Sequence, residues 1–239
     1  MKTKVFLSII IPAYNEGNII TTTLNTVKSF LDKKKYSWEV IVVDDGSTDK
    51  TAEKVTNFQD GVKLLKLRNN QGKGAALKAG VLGSIGEHVF FTDADLSVPV
   101  DNIDTFLGEL KNADVVIGSR RVEGATIEIH QPFLRENMGR VYTILSRLIT
   151  GTNLSDFTCG FKGFREKAAK EIFNKSVIKR WAYDSEILFL ANKYRFIIEE
   201  VPVSWRNRAE SRVALGTDTI TSFKDMLMIR IYDWLGKYA

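Results

Sequence analysis

Two carboxylates one residue apart, Asp93 and Asp95, close the apolar run His88-Val89-Phe90-Phe91-Thr92. β-Branched and aromatic residues in such a run read as a buried strand. Both side chains of Asp93-Ala94-Asp95 can then reach into one crevice at its end. Two such charges stay ionised together only with something positive between them. A hard divalent cation, Mg²⁺ or Mn²⁺, shared with a substrate phosphate does this. An acidic turn is the plainer reading of a lone Asp-x-Asp, so the other polar clusters decide. Asp44-Asp45-Gly46-Ser47 offers a carboxylate to the N–H edge of a base or to ribose hydroxyls. The same residues also suit a turn and a helix cap. Gly72-Lys73-Gly74 lets backbone N–H groups approach an anion at a helix N-terminus, with Lys73 adding charge. It matches neither the P-loop nor the dinucleotide fingerprint, and close helix packing explains it equally well.

These clusters need elements to hold them. Phe6 to Ile11 is a strand stopped by Pro12. A helix over Gly17 to Leu31 carries Ile20, Leu24, Val27 and Leu31 at helical spacing. Glu39 to Val43 is a second strand, and Ser47 or Thr48 caps a helix starting near Asp49. Strands over Val62–Leu67, Val89–Thr92 and Asp114–Gly118 alternate with helices over Gly72–Ser84 and Val100–Leu110. The second half is less regular: a helix over Leu134–Ile149, a strand over Gly160–Arg165, a helix over Tyr183–Asn192, a strand over Ile197–Trp205 and a helix over Ile220–Trp234. Alternation with continuous apolar strands predicts an α/β fold, a mostly parallel sheet flanked by helices on both faces. Ligands of such sheets bind at the carboxyl ends of the strands. Pro12 to Glu16, Asp44-Asp45, Asp93 to Asp95 and Ser119-Arg120 all fall there.

The chain has 239 residues, 44% of them hydrophobic, which suits one large α/β domain. No repeat, linker or low-complexity tract divides it. A net charge of +5 suits an anionic ligand or an anionic membrane surface. It is too small and scattered to point to nucleic acid, and Lys33-Lys34-Lys35 reads as an exposed loop. Cys159 is the only cysteine, so neither an intrachain disulfide nor a cysteine zinc site can form. That fits a reducing, cytoplasmic compartment. Val5 to Ile11 is too short for a signal peptide, and no run reaches the roughly 18 apolar residues of a spanning helix. The expectation is a protein that is soluble or peripheral on a membrane's cytoplasmic face.

Pro12-Ala13-Tyr14-Asn15-Glu16, Asp44-Asp45-Gly46-Ser47, Asp93-Ala94-Asp95 and Gly118-Ser119-Arg120 together resemble the family 2 glycosyltransferases with the GT-A, Rossmann-like fold. Asp156 to Lys162, Arg180 to Glu186 and Glu200 to Trp205 are similar to the dolichyl-phosphate glucosyltransferase branch, with the mannosyltransferases next. The resemblance implies one GT-A domain, with residues 1–125 binding the nucleotide-sugar and 126–239 the acceptor. It implies that Pro12, Tyr14, Glu16, Val43 and Asp45 surround the nucleoside, with Lys73 beside the nucleotide-sugar. Asp93 and Ala94 would flank the sugar-nucleotide, and Asp95, with Asp93, would hold Mg²⁺ or Mn²⁺ on its diphosphate. Arg208 and Arg212 would close over that diphosphate. Arg120 and Arg135 would face the acceptor phosphate, with Asp156, Asp184 and Glu186 on the acceptor side. The catalytic set is then Asp93, Asp95, Arg120, Arg135 and Asp184. Two departures stand out: Ser97 replaces a Gln metal ligand of the mannosyltransferases, and Gly139 replaces a Ser near their acceptor phosphate. Arg180-Trp181 lacks the Gln of processive relatives, since residue 177 is Val, which favours single transfer.

The implied reaction moves one hexose, glucose from UDP-glucose, to a polyprenyl (dolichyl) phosphate with inversion. GDP-mannose as donor, a hydroxyl acceptor, or a non-catalytic nucleotide-sugar-binding module are the alternatives. The intact Asp93-x-Asp95 pair argues against the last. Asp184 and Glu186 also suit an exposed helix start, where carboxylates are favoured. In the final helix Ile220, Phe223, Leu227, Ile231 and Trp234 share one face, which either packs on the sheet or lies at a membrane surface.

Overall fold

The computed structural model describes residues 5–58, 61–129, 133–206 and 217–239. Strands β1 (Val5–Ala13), β2 (Trp38–Asp44), β3 (Val62–Lys66) and β4 (Gly86–Phe91) alternate with helices α1 (Ile20–Leu31), α2 (Thr51–Thr56) and α3 (Lys73–Gly83). Helix α4 (Asn102–Glu109) leads to β5 (Val115–Ser119), and β6 (Thr126–Ile129) precedes α5 (Phe133–Thr150). Then come β7 (Lys162–Arg165), α6 (Glu166–Lys175), α7 (Tyr183–Lys193), β8 (Ile198–Pro202), β9 (Ser204–Arg206) and α8 (Thr217–Trp234).

Seven strands form one sheet in the order β3-β2-β1-β4-β7-β5-β8. Its pairings are parallel except at β7, which runs antiparallel to both β4 and β5. Alternation along each strand builds two cores. Ile9 and Ile11 of β1 face Leu24, Val27 and Phe106 of α1 and α4. Ile10 between them faces Ala76, Leu77 and Val81 of α3. Each such aliphatic side chain stabilises the fold by roughly 1.5–3 kcal/mol when fully buried. The small residues of α3 allow close approach: Gly80 lies against Ile10 and Val43.

Several elements differ from the sequence reading. The strand expected over Ile197–Trp205 breaks after Pro202, which has no N–H to continue a ladder. β8 stays in the main sheet, while β9 crosses to pair with β6 in a second, two-stranded sheet. Val203 bridges them, donating to Ser119 O and accepting from Thr126 N–H. Helix α2 starts later than expected, and its cap is neither Ser47 nor Thr48. Asp49 accepts from the Thr51 N–H at 2.9 Å. Helix α6 was not expected, although Ala168, Ala169, Ile172 and Phe173 bury one helical face.

The last helix divides its apolar residues. Met226 and Ile229 are buried, Phe223 and Tyr232 are half-buried, and Leu227, Ile231 and Trp234 are exposed. Its inner side packs on α5, where the rings of Tyr142 and Phe223 lie 6.0 Å apart. The single face expected from periodicity is therefore shared between core and surface. The Ile220 side chain lies outside the described residues.

Candidate active site

The loops after β1 and β2 are tied together at the carboxyl edge of the sheet. Asn15, with φ of 55°, donates its N–H to Ser47 Oγ at 2.8 Å and accepts from Thr48 N–H at 2.7 Å. Pro12 pairs with Val43 in the β1–β2 register, and Tyr14 and Glu16 lie on the loop beyond. Asp45 turns toward the start of α3. Its two oxygens accept from the N–H groups of Gln71 and Gly72, each at 2.8 Å. Of the Gly72-Lys73-Gly74 stretch, the Gly72 N–H thus meets this carboxylate. The glycines fit a tight seat: a Cβ at Gly72 would lie 2.6 Å from Lys179 O, and one at Gly74 2.6 Å from Ile178 O. Asp44, also buried, accepts from Ser47 N–H with Oδ1, while its Oδ2 meets no donor among the described residues. Sequence reasoning placed the nucleoside contact on Asp45. The carboxylate with an oxygen to spare is Asp44.

At the end of β4, Asp93 is held on two sides. Lys73 Nζ donates to its Oδ1 at 2.5 Å. Gly160 lies on the other side, where an added Cβ would come within 2.0 Å of Asp93 Oδ2. Burial alone would push the Lys73 ammonium down. The carboxylates of Asp93, Asp184 and Asp95 outweigh it, and the net shift is upward. Lys73 therefore stays charged. Ala94 is buried, and its carbonyl accepts from Thr23 Oγ of α1 at 2.5 Å. Asp95 folds back on Ser97, accepting from its N–H at 2.9 Å and its hydroxyl at 2.7 Å.

The second half supplies the wall opposite. Because β7 runs antiparallel, the loop before it returns to the edge that carries Asp93. Arg120 grips that loop, with Nε 2.6 Å from Asp156 Oδ2 and an NH₂ 2.8 Å from Oδ1. It also donates to Thr158 Oγ and lies 5.2 Å from the Trp205 ring centre. Burial would raise the Asp156 carboxyl, but Arg120 outweighs it and brings it down to about 2. Glu200 of β8 fixes the same loop by accepting from the N–H groups of Ser155 and Asp156. Lys162 is fully buried and donates to Phe157 O, Cys159 O and Asp184 Oδ1. Burial raises the Asp184 carboxyl, against the pull of Lys162 and Lys73.

Asp184 and Glu186 do not form an exposed helix start: both are buried. Glu186 points inward rather than toward an acceptor. It accepts from Val177 and Ile178 N–H groups and from Tyr238 Oη at 2.6 Å. Arg135 falls in the first turn of α5, and its side chain lies outside the described residues, as do Arg208 and Arg212. Arg121 was missed. Its NH1 donates to Thr143 Oγ at 2.7 Å beside Gly139. Burial lowers its guanidinium, and the like charges of Arg120, Arg140 and Arg147 lower it further against Asp156. Such a gathering of cations suits an anion. Lys162 and Glu200 were also missed as positioning residues, though a Lys inside Phe161-Lys162-Gly163-Phe164 is a visible signal.

A cavity of about 620 Å³ opens beside this edge, lined by Asn69, Gln71, Lys179, Arg180 and Asp225 among others. For a cation, the protein donors are the carboxylates of Asp93 and Asp95 and the Ser97 hydroxyl. Among the described residues no three His, Cys, Asp or Glu converge as a full metal shell. Hard oxygens in an incomplete set fit Mg²⁺ or Mn²⁺ with ligand phosphate and water completing the shell.

Residues 8–173 match the family model described as "Glycosyl transferase family 2". The dolichyl-phosphate beta-glucosyltransferase of Dictyostelium discoideum is 34% identical over 97% of this chain and 76% of its own length. The Saccharomyces cerevisiae protein of that name is 34% identical over 98% of this chain and 77% of its own. Among solved structures, mannosyl-3-phosphoglycerate synthase from Rubrobacter xylanophilus superposes with a TM-score of 0.74 at 16% identity, covering 98% of this chain and 75% of the other. Glucosyl-3-phosphoglycerate synthase from Mycobacterium tuberculosis, solved with Mn²⁺, UDP-glucose and phosphoglyceric acid, gives 0.68 at 20% identity, covering 95% and 80%.

Proposed function

The chain belongs to glycosyl transferase family 2, and on that premise we propose that it transfers glucose from UDP-glucose to a dolichyl or other polyprenyl phosphate at a membrane surface. The observation that carries this reading is the seat of Asp93, fixed between Lys73 and Gly160 beside the Asp95 carboxylate. Acidic oxygens held this firmly at the carboxyl edge suit a phosphate-bearing ligand with a cation. The relatives at 34% identity, all dolichyl-phosphate beta-glucosyltransferases, support glucose and a lipid phosphate as substrates.

In this reading an acceptor phosphate oxygen forms the new bond to the sugar C1 as the C1–oxygen bond to the nucleoside diphosphate breaks. The departing diphosphate keeps the electron pair. The attacking phosphate is already anionic, so no strong general base is needed. When bound, Mg²⁺ or Mn²⁺ held by Asp93 and Asp95 supplies charge stabilisation for the diphosphate. The remaining chemistry is positioning and electrostatics. Lys73 stays cationic and fixes Asp93. Arg120, braced by Asp156, holds the loop that carries Gly160. Asp184 and Lys162 brace the opposite end of that loop. Pro12, Tyr14, Glu16 and Val43 line the nucleoside side with Asp44, whose spare oxygen suits a base N–H. Asp45 supports them by holding the turn at Gln71 and Gly72 that leads into α3. Arg121 and Arg140 would meet the acceptor phosphate, and the family resemblance assigns Arg135 to the same phosphate and Arg208 and Arg212 to the diphosphate.

A donor screen tests this. The full chain, a short-chain polyprenyl phosphate, Mg²⁺ or Mn²⁺ and radiolabelled UDP-glucose should yield the lipid-linked sugar. Faster transfer from GDP-mannose would reassign the donor. Transfer to free sugars but not to the lipid phosphate would reassign the acceptor.

A further inference from the structure

Exposed large apolar side chains are unevenly spread over this molecule. Val141, Ile144 and Leu148 line one stripe of α5 at i, i+3 and i+7. Leu227, Ile231 and Trp234 line one stripe of α8 at i, i+4 and i+7, with Leu235 in the turn beyond. Leu148 is 72% exposed and Trp234 86%. The two helices are neighbours: besides the Tyr142–Phe223 ring contact, Ser146 Oγ meets Met226 Sδ at 3.6 Å. Their inward faces are already filled by Tyr142, Ile149, Met226 and Ile229, so the core does not claim these stripes. Isolated exposed apolar residues need no explanation, but two packed helices each carrying a stripe do.

Charge decides what covers them. Arg140 on α5 and Lys224, Arg230 and Lys237 on and after α8 are exposed around the stripes. Among the described side chains, the acids of α8 are turned elsewhere: Asp233 pairs with Lys193, and Asp225 is half-buried at the cavity. A symmetric second copy would bring this patch onto itself and set cation against cation. An anionic lipid surface meets both needs at once. It buries the aliphatic stripes and neutralises the arginines and lysines, with the Trp234 indole suited to the headgroup level. No helix of the described residues is long and apolar enough to cross a membrane.

We propose that the outer faces of α5 and α8 together form a docking surface for an anionic bilayer. The proposal rests on the lipid-phosphate reading of the acceptor and deepens it. It places the two helices flat in the interface, with α8 running from the cavity at Asp225 to Trp234, roughly 14 Å along a helix axis at 1.5 Å per residue.

Co-sedimentation of the full chain with vesicles of phosphatidylcholine and phosphatidylserine, and with phosphatidylcholine alone, is the test. Two double variants, Ile144→Asn with Leu148→Asn and Leu227→Asn with Ile231→Asn, change exposed positions only and should keep the wild-type circular dichroism. Binding should require the anionic lipid, and each variant should bind at least about tenfold more weakly. Trp234 emission should shift to the blue on wild-type binding. Both variants should retain transfer to a detergent-free, short-chain acceptor phosphate while losing it to acceptor embedded in vesicles. Wild-type protein that ignores anionic vesicles, or variants that bind like wild type, would overturn the docking surface. A wild-type dimer in light scattering that both variants dissociate would overturn it in favour of a second copy. Absence of transfer to the short-chain phosphate, with vesicle binding intact, would instead strike the acceptor reading.

Discussion

Asp93 is flanked closely on two sides and open on another. Lys73 draws it from one side, and the bare Cα of Gly160 admits it from the other. Gly160→Ala should therefore displace the carboxylate while leaving the fold intact. Turnover should fall by about 100-fold or more, the scale set by losing one well-aimed electrostatic contact. Steady-state kinetics with unchanged thermal unfolding would show it, and an Ala variant of near-normal turnover would remove Asp93 from the mechanism. Asp156 makes a different kind of prediction. Its carboxyl sits at about 2 in the folded protein, against about 3.9 in an unfolded chain. The Arg120 pair thus contributes stability that is full above pH about 4 and is lost as pH falls toward 2. That contribution is about 2 to 3 kcal/mol. Asp184 and Glu186, both raised by burial, act in the opposite sense. Urea unfolding between pH 2.5 and 5 should show a shallower pH slope for Asp156→Asn than for wild type. An unchanged slope would mean that the Arg120 pair does not set it. The Asp93-x-Asp95 pattern was legible because strand residues and paired acids sit next to each other in the sequence. The Gly160 seat was not, since it depends on a contact between segments 67 positions apart.

At the level of elements, the segment Val177–Arg180 is held by two others. Glu186 of α7 takes the N–H groups of Val177 and Ile178, and Ala75 of α3 donates to Lys179 O. Tyr238, beyond α8, completes the Glu186 carboxylate. Tyr238→Phe removes one buried hydrogen bond and should lower stability by about 1 kcal/mol. Glu186→Ala strands two main-chain donors and should cost about 3 kcal/mol or more. Denaturant midpoints would read both, and equal effects would deny that Glu186 serves the Val177–Ile178 backbone. The strands and helices of the first half were readable from periodicity, because each is apolar on a repeating face. β9 was not, because its departure after Pro202 is a choice between two sheets that the same residues would satisfy. Glu186 was misplaced for a similar reason. An acid in the first turn of a helix suits water as well as it suits buried main-chain donors, and only the packing of α8 decides.

On the scale of the whole molecule, the carboxylates of Asp93 and Asp95 are each held by donors of the protein itself, Lys73 and Ser97. Chelation should abolish transfer and leave circular dichroism and the unfolding midpoint within error. Mg²⁺ or Mn²⁺ should restore activity. Transfer that persists in excess chelator would reject the cation. The position of β7 has a consequence for how the molecule comes into being. β5 lies between β7 and β8 in the sheet, and both of those strands follow it in the chain. During synthesis β1 to β4 can pair as they emerge, but β5 waits for some forty further residues before either neighbour exists. Until then it is an apolar strand with two open edges. The Asp93 turn is likewise made before the loop that seats it. A nascent chain halted short of Arg165 should therefore hold a folded first half and a protease-sensitive β5, making this interval the one in which a chaperone has most to protect.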